Sequence, residues 1–339
     1  MPSTADDWFP IRLAFRDGRW SVDLARLGEE RFHDPFFHET VGRCLQRPFN
    51  LAFRRQLPLE AFIHETESLR GTSAPSGLIF HLSRCGSTLV SQAFAALEGA
   101  LAISEAGPID EAVRADRFDP TADQAWKIRT LRALVASYGR FGAPDGMFVL
   151  KLDAWHALDL RLFALAFPGV PRIFVYRDPL EILVSQEREF SWMMAALNAP
   201  TLLGISIVEA MATDRHEYRA RVLARISRAV LEQADPGDLL VEYSELPAAL
   251  WQRVAPHFGV PSSPANIDAM RAVATRHAKR PGVAFVPDPD AKRAEADETL
   301  RRAVEHWAHA PYRELERRRP QQLIGEYGSG ARVQRILSA

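Results

Sequence analysis

The sequence predicts an α/β fold in which a parallel sheet is flanked by helices, with an N-terminal extension before it and a helical C-terminal lobe after it. Short apolar runs, of the length of buried strands, alternate with longer amphipathic stretches, and this alternation is typical of βαβ units. The chain has 339 residues, of which 47% are hydrophobic and 25% are charged, so it is long and apolar enough to bury a large core.

Residues 1–75 form the predicted extension, which is rich in aromatic residues and ends in a loop of Gly, Pro and Ser. The main domain is predicted over residues 76–339. Its predicted strands are Leu78–Leu82, Leu101–Ser104, Met147–Lys151, Arg172–Tyr176 and Asp238–Tyr243. The helices predicted between and after them are Thr88–Leu97, Ala122–Arg140, Ala157–Ala166, Leu180–Trp192, Ile205–Gln233, Asn266–His277 and Ala291–Arg317, with a loop over Lys279–Pro289. In such sheets ligands bind at the carboxyl ends of the strands, so the site is expected there.

Composition excludes several classes of function. The 42 basic and 43 acidic residues give a formal charge of −1, which argues against nucleic acid or an anionic membrane as a partner. Two cysteines form no disulfide framework or zinc motif, so a reducing, cytoplasmic setting is expected and no metal site is predicted. No apolar run reaches the roughly 18 residues of a membrane helix. Composition leaves the oligomeric state open.

A turn of small residues follows the first strand and leads directly into a helix. It comprises Ser83, Arg84, Cys85, Gly86, Ser87 and Thr88. Backbone N–H groups of such a turn, together with the positive end of the helix, form a cradle for an anion. The ATP-binding pattern GxxxxGK[ST] is absent, because the basic residue precedes the glycine instead of following it.

This turn resembles the phosphosulfate loop of sulfotransferases, in which a basic residue precedes Ser-Gly-[ST]-[ST]. A second segment, Arg172–Ser185, is similar to the family's 3′-phosphate-binding segment: the strand ends in Arg177-Asp-Pro, and Ser185 follows Arg177 by eight positions. A third, Leu239–Leu246, resembles the family's late strand and "YExL" segment, with Ser244 in place of a glutamate. The resemblance spans about residues 78–260.

The resemblance implies a P-loop-type α/β domain that uses 3′-phosphoadenosine 5′-phosphosulfate as co-substrate without a metal. Residues 83–88 would hold the 5′-phosphosulfate, and Arg84 would stabilise charge on the leaving nucleotide. Arg177 and Ser185 would bind the 3′-phosphate. Tyr243 and Lys292 are further candidate donor contacts. The acceptor would be a small molecule or a peptide with a hydroxyl or amine group.

Sulfuryl transfer needs a general base near the sulfonate. Glu105 ends a short strand 21 residues after Arg84, and this placement resembles the glutamate base of the protein-tyrosine sulfotransferases. Lys151 resembles the lysine of the cytosolic enzymes and is expected to add positive charge near the transferred group. Asp153 stands where those enzymes have their catalytic histidine. We expect Cys85 to be a small spacer.

Two alternatives remain open at this stage. A nucleotide-dependent kinase of the same fold would require a lysine after the second glycine of the loop, which the sequence lacks. A nucleotide-binding protein without catalytic activity would differ from an enzyme by keeping donor binding while transferring nothing.

Overall fold

A computed structural model describes residues 7–68, 74–143, 146–277, 280–284 and 294–328. Its strands are β1 (Trp8–Arg16), β2 (Arg19–Arg26), β3 (Arg55–Pro58), β4 (Gly77–His81), β5 (Leu101–Ser104), β6 (Phe148–Lys151), β7 (Arg172–Tyr176), β8 (Leu239–Glu242), β9 (Arg276–His277) and β10 (Arg280–Ala284).

The α-helices follow the same chain order. They are α1 (Phe37–Gln46), α2 (Pro48–Ala52), α3 (Leu59–Glu67), α4 (Ser87–Ala95), α5 (Gly107–Val113), α6 (Gln124–Gly139), α7 (Leu160–Ala166), α8 (Pro179–Arg188), α9 (Ala199–Leu202), α10 (Ile207–Ala212), α11 (Arg215–Gln233), α12 (Ala255–His257), α13 (Pro264–Ala274), α14 (Glu298–Ala303) and α15 (His309–Gly328).

The central sheet has five parallel strands in the order β5-β6-β4-β7-β8. Every residue of these five strands is buried, so helices and loops cover both faces of the sheet. The structure therefore confirms the predicted fold class. The strand order reverses at β4, because the chain runs from β4 to one side for β5 and β6 and then crosses to the other side for β7. The carboxyl end of β4 thus opens at a topological switch point, where such sheets bind ligands.

The N-terminal residues form a separate antiparallel sheet, β1-β2-β3, which packs against α5 and α6. The buried hydroxyl of Tyr138 on α6 donates to the carbonyl of Pro10 at 2.9 Å. The backbone N–H of Leu13 donates to Glu111 on α5 at 2.5 Å. The ring of Phe9 is fully buried and belongs to the same apolar core as the central sheet. This sheet and the central sheet therefore share one core.

The helix predicted over Ile205–Gln233 is wrong as a single element, because α10 ends at Ala212 and α11 begins at Arg215. The side chain of Asp214 accepts hydrogen bonds from the backbone N–H groups of His216 and Glu217 and so starts a new helix.

Other boundaries also differ from the prediction. Helix α8 ends at Arg188, four residues early. The short strands β9 and β10 pair where the end of a helix and a loop were expected. In the last predicted helix, Asp297 caps α14 and starts it at Glu298.

In the part of the chain that the structure describes, we find no helix both long and apolar enough to cross a membrane.

Candidate active site

The loop between β4 and α4 turns sharply at Gly86, whose φ of 86° lies in the left-handed region. A Cβ atom at this position would lie 3.0 Å from side-chain carbons of both Tyr243 and Leu246. Glycine is therefore required here both for the backbone angle and for the close approach of Tyr243. No side chain caps the start of α4, so the first N–H groups of this helix face the loop without a side-chain acceptor.

Two side-chain hydrogen bonds join this loop to α8. The Arg84 Nε donates to the Ser185 hydroxyl at 2.9 Å, and the Gln186 amide donates to the buried Ser83 hydroxyl at 2.9 Å. The guanidinium of Arg84 also lies 2.9 Å from a carboxylate oxygen of Glu189. These contacts hold the loop against α8 and the residues after it.

Arg177 follows β7 directly and is buried. Its Nε donates to a carboxylate oxygen of Glu181, one helical turn along α8, at 2.8 Å. Its guanidinium carbon lies 3.9 Å from the centre of the Tyr243 ring. The ion pair and the ring fix the position of this arginine.

A charged cluster lies at the carboxyl ends of β5 and β6. Glu105, with a left-handed φ of 54°, forms an ion pair with the fully buried ammonium group of Lys151. The Nε2 atom of His81 lies 3.5 Å from the same carboxylate. Burial opposes ionisation of Glu105, but the charges of Lys151 and His81 outweigh it and hold the pKa of the carboxyl well below its usual range.

His81 carries a positive charge in this cluster. Its Nδ1 lies 2.8 Å from the carbonyl oxygen of Leu82, and its Nε2 lies 2.9 Å from that of Leu152. Because carbonyl oxygens only accept, both ring nitrogens must carry a proton. Burial opposes this charge, but hydrogen bonds with Cys85 and Glu105 outweigh it and raise the pKa of His81 to about 9.

A second carboxylate, Asp153, stands beside this cluster just after β6. Its side chain is 18% exposed, and it lies 3.9 Å from Nδ1 of His156. That nitrogen accepts a hydrogen bond from the backbone N–H of Asp153 itself, and the other ring nitrogen bonds Asp110 at 3.0 Å. Both ring nitrogens of His156 therefore have partners of their own. Burial, together with Glu105 and Asp110, raises the pKa of Asp153 to about 7 against the opposing effects of His156 and Lys151.

Many of the side chains described so far line one cavity of about 350 Å³ at the switch point. It brings together the predicted residues Ser83, Arg84, Cys85, Gly86, Ser87, Thr88, Glu105, Arg177, Ser185 and Tyr243. Lys151 lies behind Glu105 and does not reach the cavity surface. Lys292, the remaining predicted contact, lies outside the described residues. The Cys85 thiol is buried and donates to the carbonyl of Leu82, as expected of a spacer.

Sequence reasoning missed several residues of this cavity. His81 could have been noticed in the sequence, because it is a histidine in an otherwise apolar strand. Gln186 does not line the cavity but holds Ser83, and it belongs to no motif of the resemblance. Phe36, from the N-terminal extension, lines the cavity with its ring centre 5.0 Å from the Lys151 ammonium. Trp192 and Met193, from the turn after α8, also line the cavity, and only the folded chain shows this.

The group Asp110, Asp153 and His156 has metal-ligand residue types within 4.8 Å of one another. Asp110, however, already accepts from Arg114, from the indole of Trp155 and from His156. These donors occupy the lone pairs that a cation would need, so we assign the group to a hydrogen-bond network.

A larger groove of about 990 Å³ lies at the opposite, amino ends of β7 and β8. Its buried arginine, Arg172, forms ion pairs with Asp235 and Asp238. These carboxylates already neutralise the arginine, and the groove lies away from the carboxyl ends of the strands where this fold binds ligands.

Comparison with known proteins gives low similarities. No family model matches the sequence, and no curated protein matches it. Among solved structures, a sulfotransferase from Alicyclobacillus acidocaldarius is 14% identical with a TM-score of 0.43, covering 73% of this chain and 96% of that one. Sulfotransferase STF9 from Mycobacterium avium is 15% identical with a TM-score of 0.40, covering 78% and 81%. The sulfotransferase domain of the curacin biosynthetic pathway is 16% identical with a TM-score of 0.41, covering 67% and 89%. At such low values these likenesses carry no functional conclusion.

Proposed function

We propose that this chain is a sulfotransferase that moves a sulfuryl group from 3′-phosphoadenosine 5′-phosphosulfate to a hydroxyl or amine acceptor. One observation carries the proposal: a single cavity joins an uncapped helix start to two arginines, Arg84 and Arg177, that follow two neighbouring strands. Such a site suits a small ligand with anionic groups at both ends.

On the donor side, the N–H groups at the start of α4 and the hydroxyls of Ser87 and Thr88 would hold the 5′-phosphosulfate. Arg84 would stabilise the charge that develops on the leaving phosphate. Arg177 and Ser185 would bind the 3′-phosphate, with Tyr243 packed beneath the guanidinium. The arginines and N–H groups supply this stabilisation without a metal.

The acceptor, a small molecule or a peptide, would pack against the aromatic rings of Phe36 and Trp192, which both line the cavity. Glu105, the general base predicted from the resemblance, and Lys151 form an ion pair at this end of the site. A cytoplasmic setting stays part of the proposal, since Cys44 and Cys85 are both buried free thiols.

A kinase of the same fold is disfavoured because the loop lacks the lysine that reaches the β- and γ-phosphates of ATP. A silent nucleotide-binding protein would share the donor site but transfer nothing. Transfer of radiolabelled sulfate from the donor to any acceptor separates the two possibilities.

The 3′-phosphate contact gives the sharpest test of the donor. We expect the protein to bind 3′-phosphoadenosine 5′-phosphate at least ~10-fold more tightly than 5′-AMP, because Arg177 and Ser185 serve the phosphate that AMP lacks. Isothermal titration calorimetry measures both affinities. Arg177→Ala should remove the preference, whereas the control Arg188→Ala, on the exposed face at the end of α8, should keep it. Equal affinities in the wild-type protein would contradict the proposal.

A further inference from the structure

Two carboxylates, Glu105 and Asp153, reach the acceptor end of the cavity, and they differ in their surroundings. Glu105 lies between two cations, the Lys151 ammonium and the His81 imidazolium. Both cations stabilise the ionised carboxylate, so a proton on Glu105 would be held weakly. A group of this kind accepts protons poorly at neutral pH, although it balances the buried charges around it.

Asp153 lies in the opposite kind of environment. The neighbouring His156 has partners for both ring nitrogens, because its Nδ1 accepts a backbone N–H and its Nε2 bonds Asp110. The ammonium of Lys151 is committed to Glu105. The charged and titratable groups that act on Asp153 are Glu105 after β5, Asp110 on α5, Lys151 on β6 and His156 in the turn after β6. In the described part of the chain, the one ion-pair contact of its carboxylate is the 3.9 Å approach to His156.

Resting on the proposed function, we propose that Asp153 is the catalytic residue that takes the proton from the acceptor, while Glu105 is a positioning residue that holds Lys151 and His81 in place. Asp153 lines the cavity within the same switch-point cluster as the loop and follows a strand adjacent to β4. Its pKa of about 7 matches the acidity that a general base needs at neutral pH.

The step balances without another reactant. A lone pair of the acceptor oxygen forms the new O–S bond. The S–O bond to the 5′-phosphate breaks, and its electron pair stays on the phosphate oxygen. The acceptor's proton passes to the Asp153 carboxylate and is later released to water.

One arm of the test needs no acceptor. In protein labelled with ¹³C at aspartate carboxyl groups, we expect one resonance to titrate near pH 7 and to be missing from Asp153→Asn. Labelling aspartate alone excludes Glu111, whose pKa burial also raises to about 7. A carboxyl of Asp153 that titrates near its usual pH of about 4 would overturn the inference.

The second arm uses two phenols as acceptors, 4-methylphenol and the more acidic 4-nitrophenol. Asp153→Asn should lower kcat/KM by ~10²-fold or more with 4-methylphenol and by less with 4-nitrophenol, because the more acidic phenol depends less on a base. It should also remove the acidic limb near pH 7 from the pH profile. Glu105→Gln should keep that limb but move it to lower pH, because the charge of Glu105 helps to raise the pKa of Asp153. The control Asp159→Asn, a partly buried carboxylate off the cavity, should leave the limb in place.

The two levels of the proposal fail in different ways. A wild-type protein that transfers sulfate while Asp153→Asn keeps its rate and its pH profile would overturn only the role of Asp153. If Glu105→Gln removed the acidic limb and Asp153→Asn did not, the role of Asp153 would be wrong as well. A wild-type protein that binds neither 3′-phosphoadenosine 5′-phosphate nor the labelled donor would instead overturn the sulfotransferase proposal.

Discussion

Two non-glycine residues of the site have left-handed backbone angles: Arg84, with φ of 60°, and Glu105, with φ of 54°. Such a conformation costs an L-residue roughly 1–2 kcal/mol and persists only where the surroundings impose it. Arg84 is fixed by Ser185 and Glu189, and Glu105 by Lys151 and by a backbone bond to the Lys151 carbonyl at 2.8 Å. The strain falls where side chains from the ends of two different strands, β4 and β5, reach the same cavity.

At the residue scale, His81 makes stability depend on pH. Its pKa is about 9 in the folded chain, above its ordinary value of 6.5. The folded state therefore binds the proton more tightly, and the stabilisation is complete below pH 6.5 and is lost as pH rises through 9. The quantity to compare is the difference in free energy of unfolding between the wild type and His81→Gln. We expect this difference to be about 2–3 kcal/mol larger at pH 6 than at pH 10.

Urea denaturation at both pH values measures this difference. The matched control is His64→Gln, on an exposed position of α3, which should change stability equally at the two pH values. If the difference in free energy of unfolding between the wild type and His81→Gln were the same at pH 6 and pH 10, His81 would not be charged in the folded protein.

The sequence located most residues that line the donor half of this cavity, because a phosphate-binding turn and an arginine at a strand end are local patterns. The sequence could not show which of Glu105 and Asp153 is the better proton acceptor. Their difference arises from Lys151 and His81, which reach Glu105 from two other strands, and from the burial of Asp153 beside Glu105 and Asp110. These contacts depend on packing between strands, which the order of residues along the chain does not reveal.

At the element scale, the β4–α4 loop and α8 act as one rigid unit. The bonds from Arg84 to Ser185 and from Gln186 to Ser83 cross between them, and Gly86 lets Tyr243 pack directly against the turn. The predicted strands were found within a residue or two because each is a short apolar run. The break before α11 was missed because a single capping aspartate, Asp214, interrupts an otherwise continuous helical pattern.

This unit predicts the effect of Gly86→Ala. The new Cβ would approach Tyr243 and Leu246 to 3.0 Å at a left-handed φ. We expect it to destabilise the fold by about 1–3 kcal/mol and to weaken binding of 3′-phosphoadenosine 5′-phosphate by ~10-fold or more. Thermal unfolding and calorimetry measure the two effects.

Gly169→Ala is the matched control, since its φ of 76° imposes similar backbone strain but nothing lies within 4 Å of its added Cβ. It should cost stability without changing nucleotide affinity. If Gly86→Ala kept the wild-type affinity, the loop geometry could not be what holds the nucleotide.

At the scale of the whole molecule, the net charge is −1. The site nevertheless contains several cations, and each of them is paired with a carboxylate of the chain. Arg84 contacts Glu189, Arg177 contacts Glu181, and Lys151 contacts Glu105. An anionic ligand must therefore compete with carboxylates of the chain for the two arginines. This arrangement favours a ligand with several well-placed anionic groups over a diffuse polyanion.

The N-terminal segment contributes residues both to the core and to the site, which composition alone could not show. Phe36 lines the cavity, while Phe9 is fully buried beside Phe32, Phe37 and Phe141. The sequence predicted an extension over residues 1–75. The shared core leads us to expect that this segment unfolds together with the central sheet.

Phe9→Ala tests this cooperativity. Removing a fully buried ring should lower the free energy of unfolding by about 3–5 kcal/mol, and it should shift a single transition that both far-UV circular dichroism and tryptophan fluorescence report. Phe53→Ala, in the same segment but 60% exposed, should leave the transition within about 0.5 kcal/mol of the wild type. If Phe9→Ala instead split unfolding into two transitions, with the main one unmoved, the extension would be an independent unit. The N-terminal segment would then only pack against the folded main domain. Its Phe36 could leave the cavity wall while the donor-binding loop stayed folded.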